Sequence, residues 1–567
     1  MMPQQHSFFL NSDGEQLAAT VLLPKTVLGA VLFLLPFAEE RKGCLPFYMS
    51  IARTLCDKQI ASLIFDWHGS GDSTGDFESS DPQGFLRDAA TAVRWIQEHL
   101  PRIPITALGT RLAALLLTEL AADHKAIQRT VLIAPASGAE FIHQLLQRRM
   151  VNDMVAYGQA VESRASLLEQ VQSGGAIDLD GYIFSARVYA WITEVGGQRS
   201  KEHPTSNIQH PASNKHLLLI PGGHSPKTFK VIKEQNAAAQ FSELRFPPFW
   251  NTVGHVDLSQ LRAEIKDWIT ADFSASLLSA QLPEFKNATT RTRLIDITLN
   301  GATIRAAMDQ PQGVATAGVL FLAGWSGDRT GPHRMFTELS RQLTQSGHLC
   351  MRPDFRGRGL SDGSHDEASI DSMAEDAAAA LAELQKQLSQ GTPVYVAAIC
   401  SGCKVAIKLV AANLDISKLL LLSAESMGSL RSAKTDAHKT QKALLTYLKK
   451  LTQLETWKKI LTGRVQTKMV TKALIKHESR SNEEAKSENQ TLQLFIQYCN
   501  PVHFVFGGSD PDAPGSMQAY TEYCAKHSIP SSFRLIPHAG HSYYSAAWTA
   551  EVFATSIKFL THMPPEG

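Results

Sequence analysis

The stretch Val394-Tyr395-Val396-Ala397-Ala398-Ile399-Cys400-Ser401-Gly402-Cys403-Lys404-Val405-Ala406 decides how the chain is read. It opens as a short apolar run of strand type, turns through small residues and continues as a helix-like segment over 404–411. This is the layout of a nucleophile elbow, where a reactive side chain rides a strained strand-to-helix turn at the top of a parallel sheet. The usual pattern is G-x-S-x-G. Here Ala398 replaces the first glycine and Cys400 replaces the serine. Larger side chains two positions before or after the nucleophile would collide across the turn, and Ala398 and Gly402 meet that limit. A thiolate is a strong nucleophile, and a helix N-terminus with a nearby histidine favours it over the thiol. The plainer alternative is a small apolar cysteine ending a buried strand.

Working outward, 567 residues exceed what one core supports, so two domains of about 280 residues each are expected. A composition of 44% hydrophobic and 19% charged residues with net charge +1 is that of a globular protein, and it argues against a globally basic nucleic-acid binder. Seven cysteines, sparse and odd in number, are no disulfide framework. Residues 1–13 lack the charged-then-apolar pattern of a signal peptide, and no run reaches the roughly 18 apolar residues of a membrane span. The expected location is the reducing cytoplasm.

Strand-like runs at 17–23, 30–35, 60–66, 105–108, 130–133 and 217–220 alternate with helix-like segments at 46–58, with Pro46 at its start, and 82–99. That alternation implies a mostly parallel sheet covered on both faces. The second half repeats the order, with strands at 319–322 and 349–354 around a helix at 332–346. A D-x-x-G-x-G-x-S-x-G pattern occurs at Asp66, Gly69, Gly71, Ser73 and Gly75, and recurs 288 residues later at Asp354, Gly357, Gly359, Ser361 and Gly363. The turn around Arg111 precedes the Cys400 turn by 289 residues, and Gly254-His255 precedes Gly540-His541 by 286. Three matched motifs at nearly constant offset predict an internal duplication, joined near 274–286.

These residues resemble the α/β-hydrolase family twice over, across nearly the whole chain. The carriers are the glycine turn after Asp354, the elbow at Cys400, Gly508-Ser509-Asp510 after a strand, and Gly540-His541. More narrowly, the halves look like the two hydrolases associated with the exosortase A system, fused head to tail. Leu35-Pro36-Phe37-Ala38-Glu39-Glu40 and Gly109-Thr110-Arg111-Leu112 resemble one of them; Gly331-Pro332-His333-Arg334 and Ile399-Cys400 resemble the other. The expected architecture is two tandem α/β-hydrolase domains, each a mostly parallel sheet flanked by helices with a helical cap. Residues 1–280 form a degenerate copy with a cap over about 137–207. Residues 285–567 form the catalytic copy with a cap over about 423–494.

The resemblance implies Cys400 as nucleophile, His541 as base and Asp510 as the acid that orients the imidazole, with Asp512 a weaker candidate. It also implies an oxyanion hole from the main-chain N–H groups of Ser401 and of Trp325, in Ala323-Gly324-Trp325-Ser326. Taken singly, His541 also reads as a surface-loop histidine and Asp510 as a helix cap. A thiol nucleophile favours acyl transfer over rapid hydrolysis, and it also fits decay of a serine enzyme. Cys400-Ser401-Gly402-Cys403 is in addition a C-x-x-C, which elsewhere serves redox chemistry or zinc. No second cysteine or histidine pair at zinc spacing accompanies it, and the expected chemistry needs no metal or organic cofactor.

In the first half Arg111 occupies the nucleophile position and His224 the acid position, leaving His255. Arginine is no nucleophile, so this half is expected to be non-catalytic. Arg111 with His255 is a candidate binding site for a carboxylate or phosphate; the simpler expectation is that Arg111 pairs with an acidic neighbour. In the second cap, residues 431–480 hold 13 Lys or Arg against three acids, and Leu444, Leu445, Leu448, Leu451, Leu454 and Trp457 recur at helical spacing. This reads as an amphipathic lid whose basic face is solvated, or docks an acidic protein partner, coenzyme A phosphates or anionic lipid. The function expected is acyl transfer through an acyl-cysteine, from an ester or a carrier- or coenzyme-A-linked thioester. A plain carboxylic-ester hydrolase and a non-catalytic binding protein or scaffold are the rivals.

Overall fold

A computed structural model describes residues 4–80, 82–195, 215–221, 240–252, 256–271, 278–279, 291–365, 368–412, 414–431 and 482–562. His224, His255, residues 196–207 of the expected first cap and 432–481 of the basic cap lie outside the described residues, as does the expected join apart from 278–279.

Two eight-stranded sheets carry the fold. The first runs Gln4–Ser12, Glu15–Leu23, Ile60–Phe65, Gly29–Leu34, Ile105–Thr110, Ile127–Ile133, Lys215–Pro221, Gln240–Leu244. The second runs Thr292–Leu299, Ala302–Asp309, His348–Pro353, Ala317–Leu322, Val394–Ile399, Lys418–Leu422, Val502–Gly507, Ser531–Ile536. In each, the second strand pairs antiparallel with both of its neighbours and every other neighbouring pair is parallel. The central strands are continuous apolar runs because helices cover both faces: Gly29–Leu34 and Val394–Ile399 are buried at every position. Each sheet divides its core into two layers of buried Leu, Ile, Val and Phe. These are two α/β-hydrolase-type sheets, with the elbow strand at the centre of the second.

The structure adds strands that the sequence reading left out, notably Gln4–Ser12 and Thr292–Leu299. Each enters a hairpin through a two-residue turn, Asp13-Gly14 and Asn300-Gly301, in which both residues have positive φ. That is the Asp-Gly and Asn-Gly chemistry of a type I′ turn, whose twist matches the flanking strands. The helix expected to begin at Pro46 begins six residues earlier and runs Glu40–Cys56, with Pro46 inside it.

The repeated glycine turns are built alike. Asp66 and Asp354 fold their carboxylates back under their own loops, so a Cβ on Gly71 would lie 1.9 Å from an Asp66 oxygen and one on Gly359 2.2 Å from the Asp354 carboxyl carbon. Ser73 and Ser361 each donate to the main-chain carbonyl of that aspartate at 2.7 Å. Each serine also accepts from a neighbouring strand, from Ala18 N at 2.9 Å and Arg305 N at 2.8 Å.

These turns also join the halves. Arg329 binds Asp354 at 2.8 Å and Asp72 at 2.6 Å, Arg352 binds Asp72 at 2.6 Å, and Arg41 binds Asp66 at 2.6 Å and Asp328 at 2.7 Å. Arg334 donates to the carbonyls of Gly71, Ser73 and Gly75. All these side chains are buried. Burial would raise the Asp72 carboxyl, but Arg329 and Arg352 hold it far below the carboxylate range. The helix Gly138–Tyr157, at the start of the expected first cap, reaches the other half as well. Its Ala156 carbonyl accepts from Ser509 at 3.0 Å and contacts His538 at 3.2 Å, and Tyr157 stacks on His538.

Candidate active site

Cys400 stands between the strand Val394–Ile399 and the helix Gly402–Ala411, with φ of 57°. A β-branched or bulky residue resists that region, and even cysteine adopts it only where the surroundings dictate it. The close packing explains the small residues: a Cβ on Gly402 would lie 2.4 Å from the Leu322 carbonyl oxygen. Arg111 takes the same strained position in the first half, with φ of 60°, at the start of the helix Leu112–Asp123.

His541 Nδ1 contacts Asp510 Oδ2 at 2.7 Å. Asp510 is buried at the end of Val502–Gly507, and its other oxygen accepts the Asp512 N–H at 3.1 Å. The loop carrying the histidine is pinned by Ser423, which donates to the His541 carbonyl at 2.7 Å. Burial lowers the pKa of the imidazole. Hydrogen bonds to Asp510 and Cys400, and the negative charge of both, outweigh that and push it up to about 11.

Trp325 follows Gly324, where a Cβ would lie 3.4 Å from the Cys400 sulfur. Ser401 caps the elbow helix. Among the described residues neither the Trp325 nor the Ser401 main-chain N–H has a protein acceptor. Two open main-chain donors thus lie in the segments next to Cys400. The structure therefore brings Cys400, His541, Asp510, Trp325 and Ser401 to one place. His255 lies outside the described residues. Arg111 is engaged within the first half: Glu40 lies 3.4 Å from its guanidinium, Gln144 accepts from it, and the Trp250 ring centre lies 5.0 Å away.

Cys400 and Cys403 are free thiols. Cys403 is buried, directs its sulfur at the carbonyls of Ala398 and Leu422, and burial pushes its pKa well up. A residue missing from the sequence reading is Glu425, whose Oε1 accepts from Cys400 Sγ at 3.5 Å. Lys404 lies 3.0 Å from the same carboxylate. Burial raises the Glu425 carboxyl, but Lys404, His541 and Cys400 together hold it below its ordinary value. Its signal was positional: it lies just beyond the strand Lys418–Leu422, next to the elbow strand, where parallel sheets place their sites. One atom each from Cys400, Glu425 and His541 fall within 4.8 Å of one another, a donor set that would suit a cation such as zinc.

Cys400 and His541 open onto a cavity of about 1100 Å³ whose walls come from both halves. Glu39, Lys42 and Trp250 line it from the first half, Trp325, Arg358 and Tyr544 from the second. Glu39 ties the halves beside the site, accepting from the His333 N–H at 2.7 Å and from Tyr544 at 3.1 Å. Among the described residues no helix is long and apolar enough to cross a membrane.

Solved structures that resemble the chain each cover about half of it. Est1E from Butyrivibrio proteoclasticus with ferulic acid bound shares 16% identity over 47% of this chain and 97% of its own, with a TM-score of 0.33. The thioesterase domain of the curacin biosynthetic pathway shares 15% over 47% and 98%, at 0.31. A carboxyl esterase from Bacillus coagulans shares 15% over 48% and 98%, at 0.32. No curated protein matches the chain. The family model described as serine aminopeptidase, S33, matches residues 44–168 and 331–500, just over half of the sequence and parts of both halves. By that match the chain belongs to the serine aminopeptidase S33 family of hydrolases, with a cysteine at its second elbow.

Proposed function

We propose that the protein transfers or hydrolyses acyl groups through a covalent acyl-cysteine at Cys400. The observation that carries this reading is a strained elbow cysteine set beside a histidine–aspartate pair and two unengaged N–H donors, at the mouth of a cavity. In this scheme His541 takes the Cys400 proton, and the sulfur attacks the donor's carbonyl carbon. The oxyanion is held by the N–H groups of Trp325 and Ser401. Collapse of the tetrahedral species expels the thiol or alcohol, which leaves with the proton from His541. Water, an amine or an alcohol then gives its proton to His541 and attacks the thioester; the carbon–sulfur bond breaks, the acyl product leaves, and the Cys400 sulfur recovers the proton from His541. Asp510 keeps the imidazole oriented and stabilises its charged form.

Within this reading the chain is a fused pair of domains, 1–280 and 285–567, related by duplication and similar to the two exosortase A-associated hydrolases. The first is non-catalytic, since Arg111 holds its elbow and is already engaged by Glu40. A thiol nucleophile favours thioester donors, carried on coenzyme A or an acyl carrier protein, and the basic stretch 431–480 would favour such an acidic carrier. The free cysteines fit a reducing compartment such as the cytoplasm.

The test is intact-protein mass after incubation with a panel of acyl-thioesters and activated esters. A gain of one acyl group in the wild type, absent from Cys400→Ala, is expected. The adduct's lifetime with and without added amines or alcohols divides transferase from hydrolase. No adduct with any donor would sink the acyl-cysteine scheme in favour of a binding protein.

A further inference from the structure

Three of the four acids on the cavity wall, Glu39, Asp180 and Asp328, are paired with a cation of the protein; the fourth, Asp257, is exposed and accepts from the Ser259 N–H at 2.9 Å. Lys42 lies 3.0 Å from Glu39, Arg148 2.9 Å from Asp180, and Arg41 2.7 Å from Asp328. Three other arginines on the same wall differ: among the described residues Arg358 and Arg262 have no carboxylate partner, and Arg53 has only a shared one. Arg358 is only 3% exposed, yet its guanidinium has no carboxylate within 4.0 Å among the described residues. It donates to the carbonyls of Trp325 and Gly357 and lies 5.1 Å from the Trp325 ring, while its Nη2 meets no acceptor. Its neighbours in the fold differ: Arg329 has Asp354, Arg352 has Asp309 and Arg356 has Asp376. Burial alone acts on Arg358 and pulls its pKa down to about 10.

The other two come from the first half. Arg53 donates to the carbonyls of Leu360 and Ser361, at 3.2 and 2.7 Å, so it sits beside the loop that carries Arg358; its nearest carboxylate, Asp362, is 3.6 Å away and shared with Arg305. Among the described residues the Arg262 side chain binds only the Ser50 hydroxyl, at 2.8 Å, one helical turn before Arg53. All three line the cavity that holds Cys400.

We propose that Arg53, Arg262 and Arg358 form an anion subsite, and that the ligand of this cavity carries a carboxylate or a phosphate. Guanidinium groups bind both in a two-pronged, charge-assisted way. The ring of Trp325, whose main-chain N–H is the proposed oxyanion donor, lies against Arg358, so the subsite adjoins the elbow. The first half thereby selects what the second half binds. The description of the ligand as an acyl donor rests on the acyl-cysteine reading; the anion subsite does not.

The test is calorimetric binding to the full-length Cys400→Ala protein, where no adduct can form. The probes are the S-butyryl and S-succinyl thioesters of N-acetylcysteamine, and S-butyryl phosphopantetheine. At low salt, one of the charged probes binds about tenfold or more tightly than the neutral one. The succinyl probe reports a carboxylate on the acyl group; the phosphopantetheine probe reports a phosphate on its carrier. Adding Arg262→Gln or Arg358→Gln removes most of that advantage, and Arg262→Gln leaves the neutral probe's affinity unchanged. Arg262 is partly exposed with a single hydrogen bond, so its variant stays informative if Arg358→Gln misfolds. Equal affinity for all three probes overturns the proposal, as does an advantage that survives Arg262→Gln with Arg358→Gln. Absence of a mass adduct on intact Cys400 overturns the acyl-cysteine scheme and leaves these binding data standing.

Discussion

At the scale of single residues, Asp510 and His541 show how a short contact sets a protonation state. The Asp510 carboxylate at 2.7 Å is a main reason the imidazole is pushed up to about 11. Asp510→Asn is expected to drop the His541 pKa toward its ordinary value near 6.5, read by histidine NMR titration, and to slow acylation by up to about 10⁴-fold. The sign for stability follows. A histidine whose pKa rises on folding stabilises the fold fully below about pH 6.5, and the contribution is lost as the pH climbs through about 11. The stability gap between wild type and Asp510→Asn, from urea melts across that range, should therefore be widest in acid and close with alkali. A gap that widens with pH would show that the pair is not charged as described.

At the scale of elements, the elbow is a matter of clearance. Gly402→Ala places a methyl group 2.4 Å from the Leu322 oxygen, in the parallel strand beside the elbow strand. Overpacking of that kind costs about 1–3 kcal/mol, so denaturant midpoints should fall, and acylation should fall further as Cys400 is displaced. The sequence announced this element because strand, small residues and helix follow one another without interruption. Asp510 and His541 came through the family resemblance instead, on Gly508-Ser509-Asp510 and Gly540-His541; taken singly, each had a plainer reading. Glu425 escaped because a lone glutamate after a strand has no local pattern; only the neighbouring strand makes it face Cys400. The strands Gln4–Ser12 and Thr292–Leu299 were legible in principle, from Asp13-Gly14 and Asn300-Gly301, but their flanks alternate weakly. The cavity shared by both halves was not legible at all, since its wall is assembled from residues hundreds of positions apart.

At the scale of the whole molecule, buried charge replaces an apolar seam where the glycine turns meet. Asp72 alone neutralises parts of Arg329 and Arg352, both from the other half. Removing one member of a buried ion set is costly, about 3–5 kcal/mol, because the partners stay buried without it. Asp72→Ala should lower stability by that amount in equilibrium unfolding. A change under about 1 kcal/mol would mean the seam is wetter than described. The seam also bears on how such a chain can diverge. If, as proposed, the half whose elbow bears Arg111 is non-catalytic, it is released from the demands of chemistry, yet it keeps Asp66, Gly71, Asp72 and Ser73, which serve as a mating surface. On that proposal drift is open at the Arg111 elbow and closed at the turn. Viable changes at Asp72 must arrive together with changes at Arg329 and Arg352, so the two halves are bound to evolve as one heritable unit.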